Sequence, residues 1–346
     1  MKIKIAHAEG SVSPTVVIDG SEFDETRDQL FDCLSKIATS INRTSKKLIS
    51  KFVLLKKSEH PMFDLEYLFI QMIPGTPLRF DLNGSCGHSI LCAVDVAIDW
   101  NWTDLSSRDN TKIRVHVKNN LDSVVCEIEK DCSSNFTAHF ISKSDLAMSE
   151  YLPTKRIIDT IEMDGTNYTV SVISYANPYV FIPSNQLGIT SESQLFEASE
   201  EIKDMIEKIR QKVIERLGWD ANSVFPKVAL FDSFSPDTIS IRSLSVPSWH
   251  PTLALTGVAC LGLASELAET VVYKLLGERS KGNLLTIRTK GGTTAVSFNT
   301  SGSSLDDFAY FCSVKNKIVH KLSMDEIFYE EELLWKMEEE SLLQIV

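Results

Sequence analysis

The sequence predicts an α+β fold of two similar lobes, each a mixed or antiparallel β-sheet wrapped round a central buried helix. Three observations predict it. At 346 residues the chain has room for two domains, taking about 150 residues for each. Short runs of alternating apolar and polar residues, separated by turn residues, recur in both halves, as half-buried strands do. Each half also holds one helix that is apolar on nearly every face, over 90–98 and 253–267, and such a helix must be enclosed by other elements. The lobes are expected over 1–150 and 151–322, with an acidic helical tail over 323–346.

Taken in order, residues 3–6 and 15–18 read as strands on either side of the loop Gly10-Ser11-Val12-Ser13-Pro14. Apolar residues near a 3.6 period predict a helix over 25–38. Strands follow over 52–55 and 67–73, and then the polar loop Asn83-Gly84-Ser85-Cys86-Gly87 feeds the first apolar helix. Residues 113–117 and 124–128 form a hairpin through Asn119-Asn120, and 136–142 add a strand. The second half opens with strands over 155–162 and 168–174 around the turn Asp164-Gly165. Asn177-Pro178 turns the chain into a strand that runs to Ile182. One long amphipathic helix is expected over 194–217, stopping near Gly218. Strands over 228–231 and 238–244 lead to the loop at His250 and the second apolar helix. Strands over 284–287 and 294–298 complete the lobe.

Charge bounds the function. Asp and Glu number 47 against 35 Lys and Arg, for a net charge of −12. A nucleic-acid binder needs a basic footprint, so nucleic acid is excluded as a partner, and so is an anionic membrane surface. No run approaches the roughly 18 apolar residues of a membrane span, and no apolar leader follows Met1. The seven cysteines are scattered and include no Cys-x-x-Cys pair, which argues against a disulfide framework and a zinc site. A reducing cytoplasm is the expected setting, with no metal and no cofactor. The sequence leaves the oligomeric state open, with a homodimer as one option.

The most chemically informative stretch surrounds Cys86. A polar loop running into an apolar helix puts this thiol at the first turn, where unpaired backbone N–H groups and the helix dipole favour thiolate. The same N–H groups would hold a carboxylate beside the sulfur. That pairing suggests proton abstraction next to a carboxylate; a buried packing cysteine at a helix start is the competing reading. Two buried helices aiming their N-termini at one cleft would make a two-sided anion site.

Four blocks then extend the argument. Ser50-Lys51 is followed sixteen residues on by Tyr67-Leu68-Phe69-Ile70-Gln71. Cys86-Gly87-His88 precedes a helix of small residues, and Asn177-Pro178-Tyr179-Val180-Phe181 forms the third block. Arg242-Ser243-Leu244-Ser245 comes with His250-Pro251 and Thr256-Gly257. In this order, over most of the chain, the blocks resemble those of the 2-methylaconitate cis–trans isomerases, a branch of the diaminopimelate epimerase superfamily.

The resemblance implies an epimerase-like fold with its active site in the cleft, and a cofactor-independent isomerase of a small unsaturated di- or tricarboxylate. Aconitate and methylaconitate are the nearest candidates, by cis–trans or double-bond isomerisation. Such an acid isomerises once a proton leaves a carbon conjugated through the double bond and the allylic charge spreads onto a carboxylate; a base, an acid and donors are needed. Lys51 is the implied base, although a lysine ordinarily titrates near ~10.4 and must be shifted down for that role. Cys86 is the implied proton donor, and the two are expected to meet at the mouth of the cleft. Backbone N–H groups of Gly87, His88, Ser89, Thr256 and Gly257 are the implied carboxylate clamps, with Arg242, His250 and Lys290 to neutralise further charge.

The chain also departs from the family pattern. Epimerases of the superfamily carry a second cysteine where this chain has Ala254, so two-cysteine racemisation is not expected. The first glycine loop lacks the branch's lysine, His88 replaces its asparagine, and Thr289-Lys290-Gly291-Gly292 replaces its His-Pro-Ser-Gly. Plainer readings stand beside these roles. Lys51 follows Lys46 and Lys47 and could be one more solvated lysine, and His88 and His250 could be helix-start residues. Arg242 and Lys290 could be structural or surface groups. The other cysteines, Cys132 among them, read as packing residues. A tautomerase of an oxalomesaconate-like acid and a non-catalytic accessory protein are the alternative functions.

Overall fold

The computed structural model describes residues 2–23, 27–73, 75, 78–103, 112–129, 134–143, 146–235, 238–246, 248–277 and 284–322. The tail expected over 323–346 and Cys132 lie outside these residues. The chain divides into two compact units, Met1–Phe136 with Ile318–Val346, and Thr137–Lys317. The division therefore falls at Phe136 instead of residue 150, and the chain returns to the first unit at its end. The return is a matter of backbone hydrogen bonding. Strand β1 (Ile3–Ala8) has an open edge, and the end of strand β17 (Ala309–Lys321) fills it with Lys321 opposite Ala6.

In the first unit β1 pairs antiparallel with β2 (Thr15–Asp19), which runs parallel to β3 (Lys51–Lys57). Next, β3 pairs antiparallel with β4 (Leu65–Ile73), which borders both the short β5 (Arg79–Asp81) and the parallel β6 (Lys112–Val117). A hairpin joins β6 to β7 (Asp122–Ile128), as expected. One face of the sheet packs on α1 (Arg27–Thr44) through Leu34, Ile37, Ala38 and Ile41. The other face receives α2 (Gly87–Asp99), in which every residue from Gly87 to Ala97 is buried. That burial is why its sequence carries no polar stripe.

The second unit repeats the plan. After β8 (Asn135–Ile141) and β9 (Asp159–Met163), β10 (Thr166–Ile173) pairs antiparallel with β11 (Tyr179–Pro183). Then β11 runs parallel to β12 (Lys227–Ser235), which pairs antiparallel with β13 (Thr238–Ser245). Strand β13 holds the short β14 (Ser248–Trp249) and the parallel β15 (Leu285–Thr289), and β15 pairs with β16 (Gly292–Thr300). The succession antiparallel, parallel, antiparallel, parallel, antiparallel is thus the same in both units. Two helices, α3 (Glu192–Phe196) and α4 (Glu200–Leu217), lie between β11 and β12. The buried helix is α5 (Leu255–Glu266), enclosed from Leu255 to Ser265 and followed by α6 (Val271–Leu276).

Three expectations change. The single helix over 194–217 is two helices, because the Ser191 and Ser199 hydroxyls each cap a new start, accepting from the Gln194 and Ile202 N–H groups. The strand expected from 155 begins at Asp159, since Lys155 holds a left-handed φ of 56°. The longest strand, β17, was not expected, and neither were β5, β14 and α6. Among the described residues no helix is long and apolar enough to cross a membrane.

Candidate active site

Strand register sets which side chains meet. Thr15 stands opposite Lys51, and Lys51 opposite Gln71, so all three project from one face of the sheet. That face is the one covered by α2, because the Thr15 hydroxyl lies 2.9 Å from the Ser89 hydroxyl on the helix's first turn. Lys51 is only 5 % exposed, and its Nζ donates to the Ser11 hydroxyl at 2.7 Å. Ser11 in turn donates to the Ser13 carbonyl at 2.9 Å. Lys51 is therefore a buried, anchored lysine, which the charged stretch before it did not require.

Cys86 is the N-cap of α2, with extended backbone, and its side chain makes no capping hydrogen bond. The first backbone bond of the helix runs from the Ile90 N–H to the Cys86 carbonyl at 3.0 Å. The N–H groups of Gly87, His88 and Ser89 precede that bond and stand outside the helical ladder, as a carboxylate cradle requires. His88 and Ser89 are buried, at 1 % and 0 % exposure, while Cys86 is half-buried. Tyr67 is fully buried, and its phenol donates to the Cys86 carbonyl at 3.1 Å. Burial, and then proximity to Cys86, holds that phenol well above its ordinary pKa. The Cys92 thiol is pushed up to about 12 by burial, against a hydrogen bond from Thr15. On the same unit, burial and then Lys51 hold His7 below its ordinary value, so that imidazole is neutral at pH 7.

The second unit carries the other nominated residues. Helix α5 begins like α2: its N-cap, Ala254, makes no side-chain cap, and Val258 N–H to the Ala254 carbonyl is the first ladder bond. Thr256 accepts from the Asn177 amide at 3.3 Å. Gly257 packs against Tyr179 so closely that a Cβ there would lie 2.5 Å from the ring's Cζ. Arg242 stacks on Trp249, 4.8 Å from the ring centroid, and donates to the His250 carbonyl at 3.3 Å. Burial lowers the Arg242 pKa, with Glu197 opposing. The His250 ring is buried, with Nδ1 2.9 Å from the Thr252 carbonyl and 3.1 Å from the Thr252 nitrogen. Lys290 donates to Glu197 at 2.7 Å, so its charge already has a carboxylate partner.

Lys51, Cys86, Gly87, His88 and Ser89 thus gather on one sheet face and helix start. Arg242, His250 and Lys290 gather around Trp249 and Glu197. Sequence reasoning missed Ser11, Thr15, Tyr67 and Glu197. Ser11 and Tyr67 had a signal: Ser11 fills the loop whose lysine is missing, and Tyr67 opens a family block. Thr15 and Glu197 had none. Among the described residues no group of three or more His, Cys, Asp or Glu is placed to hold a metal ion.

The 3-methylitaconate isomerase of Eubacterium barkeri is 23 % identical over 282 residues, 70 % of this chain and 73 % of that protein. The (4E)-oxalomesaconate Delta-isomerase of Novosphingobium sp. (strain KA1) is 24 % identical over 252 residues, 65 % and 69 % of the two chains. The crystal structure of methylitaconate-delta-isomerase superposes with a TM-score of 0.65 at 20 % identity, covering 92 % of this chain and 95 % of that one, which establishes the shared fold. Residues 110–309 match the sequence pattern described as PrpF protein. That match takes in more than half of the molecule; the chain is an isomerase, and it belongs to the PrpF protein family.

Proposed function

We propose that this isomerase shifts the double bond of a small unsaturated dicarboxylate or tricarboxylate by moving one allylic proton, with Lys51 and Cys86 as the proton-transfer pair. The observation that carries this reading is the joint placement of a buried, Ser11-anchored amine and an uncapping thiol on one sheet face and the helix start packed against it. Relatives named as isomerases of 3-methylitaconate and (4E)-oxalomesaconate support an unsaturated carboxylate as substrate. They also favour a double-bond shift over a cis–trans rotation, and aconitate-like acids stay in the test panel.

Each step follows from the residues. The N–H groups ahead of the α2 ladder hold a substrate carboxylate and accept the charge that develops on it. The Lys51 amine, in its neutral form, removes the allylic proton, and the electron pair delocalises across the three carbons to that carboxylate. The Cys86 thiol delivers a proton to the far end of the allyl unit, so the double bond moves with no change in oxidation state. This leaves ammonium and thiolate, and one proton passed between them restores the starting pair. General acid–base steps of this kind contribute about 10²–10⁴-fold each.

The test is proton exchange. Incubating 3-methylitaconate, oxalomesaconate, cis-aconitate and 2-methylaconitate with the protein in deuterium oxide, followed by proton NMR, is expected to show one acid exchanging a carbon-bound proton and yielding its double-bond isomer. Lys51→Met and Cys86→Ala are each expected to slow this by on the order of 10² or more. If no acid exchanges, or both variants match the parent, the reading fails.

A further inference from the structure

The thiol of Cys86 takes no part in capping its own helix, whereas Ser191, Ser199 and Thr270 cap theirs through their side chains. Some other group must then fix the first turn of α2 against the sheet, because an uncapped helix start frays. The fully buried Tyr67, on β4, reaches it. Its phenol donates to the Cys86 carbonyl at 3.1 Å, and the same carbonyl closes the helix by accepting from Ile90 at 3.0 Å. A second contact holds the same turn from the neighbouring strand, through Ser89. Ser89, in turn, lies 2.9 Å from Thr15, the register partner of Lys51. Two buried hydroxyl contacts therefore tie the first turn of α2 to the sheet, one from β4 and one from β2, the two strands that flank the strand of Lys51.

We propose that Tyr67 is a positioning residue for the proton-transfer pair: its hydrogen bond to the Cys86 carbonyl, with the Ser89–Thr15 contact beside it, anchors the first turn of α2 and so sets the place of the Cys86 thiol relative to Lys51. The physical logic is a division of labour. The Cys86 backbone carbonyl takes the anchoring hydrogen bonds, and its side chain is not spent on capping the helix N–H groups as a serine or threonine there would be. Tyr67 can serve in this way at any working pH, because burial keeps the phenol protonated and hence a donor. This inference rests on the proposed roles of Lys51 and Cys86, but part of its test needs no substrate.

The experiment compares Tyr67→Phe, Ser89→Ala and the core control Val115→Ala on β6, with the thermal stability of each variant measured alongside. Two quantities are read. The first is the pH profile of iodoacetamide alkylation at Cys86, followed by peptide mass spectrometry. Tyr67→Phe is expected to move its midpoint upward, since a thiol displaced from the helix start loses the dipole that favours thiolate. The second is turnover of whichever acid the exchange experiment identifies. There kcat is expected to fall on the order of ten-fold or more with KM within about two-fold, as misplacement of a reacting group produces. Ser89→Ala is expected to shift both in the same direction, and Val115→Ala neither. If Tyr67→Phe and Ser89→Ala leave the alkylation profile where the control leaves it, Tyr67 is an ordinary core residue and the proposal is overturned. The profile is read even where no acid turns over, so a failure of the proposed function stays distinct from a failure of this inference.

Discussion

Cys86 and Cys92 stand six residues apart, one at the start and one in the middle of the same helix, and what surrounds each sulfur separates their chemistry. Cys92 is enclosed, and burial pushes its thiol up to about 12, as it does for Cys126. Cys260 and Cys312 are equally enclosed, and Cys312 is pushed well above its ordinary value. Iodoacetamide at pH 8 on the folded protein is therefore expected to modify Cys86 and to leave Cys92, Cys126, Cys260 and Cys312 unmodified until urea is added. Label on Cys92 before label on Cys86 would contradict this placement. A second residue-scale prediction concerns Gly257. Its missing side chain makes room for the Tyr179 ring, which is itself fully buried and cannot swing away. Gly257→Ala is expected to cost about 1–3 kcal/mol in urea unfolding, the usual range for overpacking a core. A stability equal to the parent's would mean the ring has room to shift.

At the scale of elements, α2 carries an unusual passenger. Asp95 is 4 % exposed, on the third turn of an apolar helix, and its Oδ2 has no hydrogen-bond partner among the described residues. Burial raises its pKa, with Lys321 and then Lys4 opposing; those two lysines pair directly with Asp99, one turn further along. The sign follows from proton binding. A folded-state pKa above the unfolded value of about 3.9 means that the folded form keeps a proton the unfolded form has lost. Stability from this group is present below that value and declines as pH rises through the folded pKa. Asp95→Asn is expected to change stability little at pH 3.5 and to gain on the parent as pH is raised to 7, measured by urea unfolding at several pH values. A gap that is flat with pH would contradict the assignment. The elements themselves were legible to different degrees. Helices α2 and α5 stood out because burial on all sides leaves a sequence without a polar face. The split between α3 and α4 did not, because a serine cap inside an amphipathic stretch barely disturbs the periodicity. Strand β17 was obscured by its own pattern, in which exposed Tyr310, Phe311, Lys315 and Asn316 break the alternation.

For the whole molecule, the repeated pairing plan gives each unit one buried helix with an uncapped start, but only one of the two starts bears a thiol. Cys86 occupies the N-cap of α2, and Ala254 the matching place on α5. Racemisation at an amino-acid α-carbon by a pair of thiols requires a titratable proton at both places. Proline and 4-hydroxyproline are therefore expected to retain their α-proton when incubated with the protein in deuterium oxide, while an unsaturated carboxylate exchanges. Deuterium at the proline α-carbon would overturn that expectation. The charge of the whole chain points the same way as before: a net −12 leaves recognition of an anion to local N–H groups and a few cations.

From the order of its residues alone, this protein could be read as α+β, as two copies of one plan, and as a relative of the isomerases, because buried helices and motif blocks leave their mark in local sequence. Which lysine is buried, what holds the first turn of α2 and which cation is already neutralised were decided only by the tertiary structure. Lys51 looks like its neighbours Lys46 and Lys47 until the ladder sets it opposite Thr15 and beside Ser11. Lys290 looks available until Glu197, 93 residues away, closes on it. Such facts depend on contacts between residues distant in the chain, and the side chains that make them carry no local trace of their partners.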